Sequence, residues 1–496
     1  MAQYQHYIPQ LLLKNFSHPY RGETDGELHE RGANKREKGK YKGNPVLHLV
    51  DLASDSAQLL EAPISRCFGF NEMYDDMTKM IESRNDIEKK LSSLESQAAA
   101  ILGKVMKALS DKQPDVILLR KEVNVLRKFL FVMKYRGPQY YAKYFTGGTQ
   151  SYNHIDKHLV EGFMLKKSIS SPRKVWLHNL LTILDLKMDV KGEWMTAILE
   201  SMFPADAHMF IYHMRTYYMA FCVPATVDDE FVLTAGAYNV MEGPTNEARD
   251  GDTGEYRPQS FISWHEFGVV APGLLIVLRN NLLPAPLEDA NEVVKKLRQS
   301  LREAAIQMMP GIGDKESILE DLPAAKALCS TNIVVDGVLQ LSPGKDGEMQ
   351  PKNEFCFKFW PIQTKHLDII NAIFLDNIKD LAGIVFSSKY SFQRTLEAYM
   401  LDETNNFKQI YLDEPEGNKS RATCLRKLEE VLTLLGSSIT PVYHNAPGRS
   451  ESVLSCLDKI WIQMMAKLCD NTGTADAKSA HAAFWNTYRS LGKLIK

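Results

Sequence analysis

Apolar residues recur at Ile87, Leu91, Leu94, Ala98, Ile101 and Val105, at alternating spacings of four and three. That spacing lines one face of a helix and matches neither face of a strand. A stripe of this length must be covered by a broad apolar surface. Further along, the texture changes. Tyr217 to Val223 and Gly273 to Arg279 are almost continuously apolar, as strands in a core are. The pattern predicts an α+β fold, predominantly helical, with a central, small, mostly antiparallel sheet.

The same reading orders the chain into three stretches packed as one unit. Residues 1–145 hold a compact start from Tyr4 to Phe16, a polar insert, a strand-like run from Val46 to Val50, and two helical patterns. The second of these runs from about Val116 to Tyr135 and stops at Gly137-Pro138, where proline breaks a helix. Residues 146–365 form the α+β centre. There the Tyr217 run pairs with Glu230 to Thr234 across an acidic turn, a long polar loop spans residues 243–259, helix returns from Asp289 to Met308, and a β pair lies between Asn332 and Phe359. Residues 366–496 read as almost wholly helical.

With 496 residues, of which 44% are hydrophobic and 24% charged, the chain can bury a large core. Its 59 basic and 61 acidic residues nearly cancel, so contact with nucleic acid requires a local basic patch. The insert supplies one with Arg31, Lys35, Arg36, Lys38, Lys40 and Lys42. The helix with Arg120, Lys121, Arg127, Lys128 and Lys134 supplies another. The seven cysteines are dispersed and form no Cys-x-x-Cys, which argues for reduced thiols without a disulfide or zinc knuckle. The start lacks the apolar core of a secretory signal, and no apolar run reaches the ~18 residues of a membrane span. These features point to the cytoplasm, with the nucleus as the alternative.

Familiar catalytic signatures are absent: no Gly-x-Ser-x-Gly elbow, no phosphate-binding Gly-x-x-x-x-Gly-Lys and no His-Glu-x-x-His. Gly311-Ile312-Gly313 follows a helix rather than a strand and reads as a helix stop. His154 and His158 share a helical face, but a solvated pair is the simpler reading without a third ligand. His265 and Glu266 are neighbours on a strand and so face opposite sides, which leaves one of the two for chemistry.

The most distinctive string is His6-Tyr7-Ile8-Pro9-Gln10, followed by Leu11 to Ser17. Further blocks follow in order: Phe68-Gly69-Phe70-Asn71-Glu72-Met73-Tyr74, Lys134-Tyr135-Arg136-Gly137-Pro138, Glu230 to Thr234, Ala237 to Pro244, Trp264-His265-Glu266-Phe267, and Ile276-Val277-Leu278-Arg279. Together they resemble the fungal family that contains the arginine-containing cyclodipeptide synthases, long catalogued as a domain of unknown function. The resemblance implies a transferase that joins arginine from arginyl-tRNA to a second amino acid from another aminoacyl-tRNA, yielding a 2,5-diketopiperazine for secondary metabolism. Because an aminoacyl-tRNA is already an activated ester, the reaction calls for no ATP, metal or other cofactor. Neither DNA nor a membrane is an expected partner.

Such an enzyme must hold two reacting groups together, deprotonate an ammonium and stabilise an oxyanion. His6 is the expected base, with a buried structural histidine as the alternative. Glu242 is a carboxylate for the ammonium or guanidinium, or else a solvated turn residue, and His265 completes the expected catalytic set. Arg136 and Arg279 could each grip a phosphate or the terminal adenosine, or serve as internal ion-pair partners. Gln10, Asn15 and Tyr238, carried by the same motifs, join the substrate-binding set. Lys35, Arg36, Lys38, Arg120, Arg127 and Lys128 are the expected tRNA contacts. Asp228, Asp229 and Glu230 read as a solvated acidic turn. Two other functions fit the same residues: a hydrolase or nuclease acting on RNA or aminoacyl-tRNA, and a non-catalytic RNA- or protein-binding module.

Overall fold

A computed structural model describes residues 3–20, 44–74, 86–145, 148, 149, 152, 154–249, 256–260, 262–307, 316–378, 383–403, 408–411 and 419–446. The stripe from Ile87 to Val105 is the buried face of helix α1 (Asp86–Ser110). It packs against α2 (Arg120–Tyr135) and, further along the chain, the helix Pro172–Asp185. Every residue of α2 from Lys128 to Tyr135 is buried, so this helix runs through the centre of the molecule. Gly137-Pro138 ends it as expected, and Pro138 then opens α3 (Pro138–Tyr144) from the first helical position, where its missing N–H costs nothing.

Helix outweighs strand, but the strands form two larger sheets rather than one small one. At the amino terminus, β1 (Tyr4–His6) is followed by β2 (His18–Pro19), β3 (Pro45–Asp51), β4 (Gln58–Pro63) and β5 (Gly69–Asn71). Next come β6 (Asp115–Leu119), β7 (Tyr217–Pro224), β8 (Leu233–Thr234), β9 (Met241–Glu242), β10 (Thr245–Arg249) and β11 (Tyr256–Ser260). Then follow β12 (His265–Ala271), β13 (Leu274–Asn280), β14 (Leu328–Cys329), β15 (Asn332–Val335), β16 (Val338–Leu341), β17 (Glu354–Ile362) and β18 (Gly383–Phe386). The seven-stranded sheet runs β14-β17-β7-β13-β12-β9, with β6 also on β17. Its pairings are antiparallel except β17 on β7. The five-stranded sheet runs β2-β3-β18-β8, with β4 also on β3.

Several expectations change for one reason: a short apolar run does not reveal its partner. Val116 to Leu119 continues no helix but forms β6, because its branched side chains pair with β17. Gly383 to Phe386, expected as helix, is a buried strand between β3 and β8. Glu230 to Thr234 does not fold back on β7. Its Val232 N–H donates to Asn371 Oδ1 and its Phe231 N–H to the Pro272 carbonyl, which directs β8 into the other sheet. The polar stretch after Gly243 is a ribbon of β10 and β11, not a loop. A single main core extends from Tyr7 to Leu432 and joins residues of all three stretches. Among the described residues, no helix is long and apolar enough to cross a membrane.

Candidate active site at the amino-terminal motif

The His-Tyr-Ile-Pro-Gln string does two jobs. Ile8, Leu12, Leu13 and Phe16 are buried, and Pro9 accepts the Leu12 N–H to start a helical turn, so this half anchors the segment in the core. The other half is β1, which pairs antiparallel with β5 so that His6 lies opposite Gly69. A Cβ at residue 69 would lie 2.5 Å from the Gln5 carbonyl oxygen and 2.6 Å from the Tyr4 ring, so only glycine lets the strands meet. On either side of β5, Phe68 and Glu72 have φ of 55° and 53°, a left-handed conformation that is costly for such side chains. The Phe68 carbonyl repays part of that strain by accepting both the Tyr7 and Ile8 N–H groups.

His6 is left half-buried, its Nε2 3.3 Å from the Ile64 carbonyl oxygen, while the Tyr74 hydroxyl donates to its own carbonyl. Beside it lies Arg136, 1% exposed, with Nη1 2.7 Å from Glu95 Oε1. Burial lowers the His6 pKa, and the Arg136 charge lowers it further against the opposing Ile64 contact and Glu95. The imidazole is therefore neutral near pH 7 and can accept a proton. Glu88 lies two helical turns before Glu95 on the same face of α1. Burial pushes its carboxyl up, Glu95 adds to the rise, and Arg136 opposes it. Glu95 is thus the ion-pair partner of Arg136, and Glu88 is a second carboxyl that feels the same guanidinium through its charge.

The remaining motif residues form two sealed networks on opposite faces of β12. On one face, Glu266 Oε1 is 2.8 Å from Lys134 Nζ and Oε2 is 2.9 Å from His213 Nδ1, while His213 Nε2 reaches the Arg127 carbonyl. Burial raises the Glu266 pKa, but Lys134 and His213 outweigh it and hold the carboxyl far below the usual range. On the other face, Glu242 receives His265 Nδ1 at 2.7 Å, Ser317 Oγ at 3.0 Å and the Ile318 N–H at 3.0 Å. His265 Nε2 accepts from Arg279, which also donates to the Leu319 and Glu320 carbonyls. Burial lowers the His265 pKa against the Glu242 bond, consistent with a neutral ring carrying its hydrogen on Nδ1. Gly243 turns the chain where a Cβ would collide with the Ile262 carbonyl.

This geometry revises the sequence-based roles of several residues. Glu242, His265 and Arg279 are buried and engaged with one another, so they fasten the 317–320 segment to the sheet and do not face substrate. Tyr238 is buried and donates to the Val269 carbonyl, and the Asn15 amide donates to the Val270 carbonyl. Arg127 is enclosed and donates to the Met214 and Tyr217 carbonyls, so it reaches no phosphate. Lys128 caps the Leu184 and Leu186 carbonyls, and burial pushes its pKa down to about 8. Gln10 is exposed. Arg120 is only partly buried and lines a cavity of about 400 Å³ with Lys90, Lys121 and Asp185. Lys35, Arg36 and Lys38, the Gly311-Gly313 pair and the His154 side chain lie outside the described residues, and His158 is exposed. Glu88 and Glu95 escaped the sequence reading, and Tyr74 figured there only as part of a motif block. The seven-residue spacing of the two glutamates beside an apolar stripe was the available signal.

A family model described as "Protein of unknown function (DUF4238)" matches residues 4–389, which takes in every motif block named above. The chain belongs to this family. No curated protein and no solved structure matches the chain.

Proposed function

We propose that the chain is a tRNA-dependent cyclodipeptide synthase that joins arginine and a second amino acid, each delivered as its aminoacyl-tRNA. The observation that carries this reading is the meeting of three distant motif blocks at one half-buried cluster. His6 comes from the first block, Tyr74 from the second and Arg136 from the third, and Glu88 and Glu95 complete the cluster. The fungal resemblance of those blocks supplies the reaction class.

In this reading His6 takes the proton from the α-ammonium of one aminoacyl group. The freed amine attacks the ester carbonyl of the other, forming the peptide bond and releasing one tRNA through its 3′ oxygen. The amine of the resulting dipeptidyl ester then attacks its own ester carbonyl, which closes the ring and releases the second tRNA. Glu88 and Glu95 receive the arginyl guanidinium, a group that carboxylates bind in bidentate fashion. Arg136 holds Glu95 in place and keeps the His6 ring neutral. Orientation of two bound esters can supply roughly 7–11 kcal/mol of the barrier in favourable cases. The tRNA backbone is assigned to Lys35, Arg36 and Lys38 together with Arg120, leaving Arg127 and Lys128 to their internal roles.

The test is mass spectrometry of extracts from bacteria expressing the chain, at the masses of arginine plus each amino acid minus two waters. The reading expects a new arginine-containing diketopiperazine that disappears in His6→Asn and in Glu88→Gln while both variants remain folded. Folded wild-type protein without any such product would reject it and favour a hydrolase or a binding module.

A further inference from the structure

The edge formed by β2, β3 and β4 carries a group of side chains that the proposed reaction does not use. His18 on β2 is paired with Val46 on β3, and His48 on β3 is paired with Glu61 on β4. Paired residues share a face, and residues two apart on a strand share it too. His18, His48 and Glu61 therefore project from one side of three adjacent segments. All three are half-buried, and their ligand atoms lie within 4.8 Å of one another.

We propose that His18, His48 and Glu61 bind a divalent transition-metal ion, best matched by Zn²⁺, with the fourth position taken by water. This rests on a different part of the molecule from the proposed synthase chemistry and stands or falls independently of it.

Three observations support the assignment. The first is the tautomer of His18. Its Nδ1 is 3.1 Å from the Pro19 carbonyl oxygen, an acceptor, so the hydrogen of the neutral ring is on Nδ1 and the Nε2 lone pair is available. Among the described residues that buried Nε2 has no hydrogen-bond partner. The second is spacing. His18 Nε2 lies 3.5 Å from Glu61 Oε1. Zinc bonds of about 2.0–2.2 Å at tetrahedral angles set ligand atoms about 3.3–3.6 Å apart. Two ligands are thus already at the separation that a shared ion requires. The His48 ring packs against His18 at 4.1 Å between centroids, with the planes 32° apart, and is stacked on Phe386; two imidazoles on one tetrahedral ion stand about 5 Å apart, so binding turns the His48 ring away from His18.

The third observation is what the strands lack. β2 has two residues, and its register sets Pro19 opposite Pro45. Neither proline has an N–H to donate, so this pairing is deficient in ladder hydrogen bonds. An ion bridging β2, β3 and β4 would fasten the chain just after Phe16, where the segment bearing His6 leaves the core. The donor set of two imidazoles and one carboxylate is one that zinc uses where it keeps an open coordination position. The sequence alone led to the expectation of no metal site, and the proposal departs from it.

The test uses the full, untagged chain, stripped with a chelator and titrated with cobalt(II) chloride alone. The expected result is tetrahedral cobalt absorption that saturates at one equivalent and is displaced by zinc sulfate. Glu61→Gln and His48→Asn should each weaken binding by about tenfold to a hundredfold or more, with circular dichroism unchanged. If the variants do not fold, the wild-type titration still decides. Octahedral, unsaturating absorption would mean that His18 and Glu61 form an ion pair only, and would overturn the proposal. Thiolate-to-cobalt charge-transfer bands would overturn it too, because they would place the ion on cysteine.

Discussion

Lys134→Met tests how the buried charges at the centre of the molecule contribute to folding. Lys134 and Glu266 are 7% and 8% exposed, with Nζ 2.8 Å from Oε1. Removing the ammonium leaves the carboxylate buried with His213 as its remaining partner. Breaking such a pair costs about 3–5 kcal/mol, a large share of the roughly 5–15 kcal/mol that keeps a domain folded. The pH dependence has a defined sign. Lys134 and His213 depress the folded-state pKa of Glu266, despite the upward push of burial. Its contribution is therefore complete above the unfolded value of about 4.3 and is lost as pH falls toward the folded one. The variant lacks most of that contribution from the start, so the gap from wild type narrows in acid. Urea unfolding at a series of pH values between neutrality and mild acid measures it. Lys134→Met/Glu266→Gln removes both charges while keeping an acceptor for His213, and should recover all but about 1–2 kcal/mol, since an ion pair contributes little beyond its own desolvation cost. A single-variant loss below about 1 kcal/mol, a gap that widens in acid, or a double variant as unstable as the single would refute the reasoning.

Gly69→Ala forces β1 and β5 apart and should cost about 1–3 kcal/mol in thermal unfolding. It should also lower diketopiperazine output by shifting His6, which lies opposite it. Glu242→Gln leaves one of its buried donors facing an amide nitrogen and should cost about 1–3 kcal/mol. Its product yield should track the amount of folded protein and recover at lower growth temperature, whereas a catalytic carboxylate would not behave so. The pH–rate profile should have an acidic limb with its midpoint below the ordinary 6.5 of histidine, because burial and Arg136 lower the His6 pKa. His6→Asn should abolish that limb along with the activity.

Legibility in the sequence followed the length of the signal. The stripe from Ile87 to Val105 repeats over five spacings and identified α1 and its buried face. The run at Gly273 to Arg279 likewise identified β13 as a buried strand. Short runs such as Val116 to Leu119 and Gly383 to Phe386 fit either structure, and only their partners β17 and β3 decide between them. The alternation rule correctly separated His265 from Glu266. It could not show that both would be enclosed, because Ser317 and His213 come from segments with no motif of their own. The basic residues of α2 illustrate the same limit. Arg127 and Lys128 look like a charged face in sequence, yet they turn inward to cap carbonyls at the ends of neighbouring elements. At the candidate site, His6 and Arg136 were legible through their motifs, whereas Glu88 and Glu95 were hidden among the charges of an amphipathic helix.

The most direct test of the central claim is to incubate purified protein with arginyl-tRNA carrying isotopically labelled arginine and a pool of other aminoacyl-tRNAs, then follow the label. The account predicts that it appears in a cyclic dipeptide, with both tRNAs deacylated, and that His6→Asn stops this. Label recovered as free arginine would indicate a hydrolase, and label remaining on tRNA would indicate a binding protein. Either result would contradict the account.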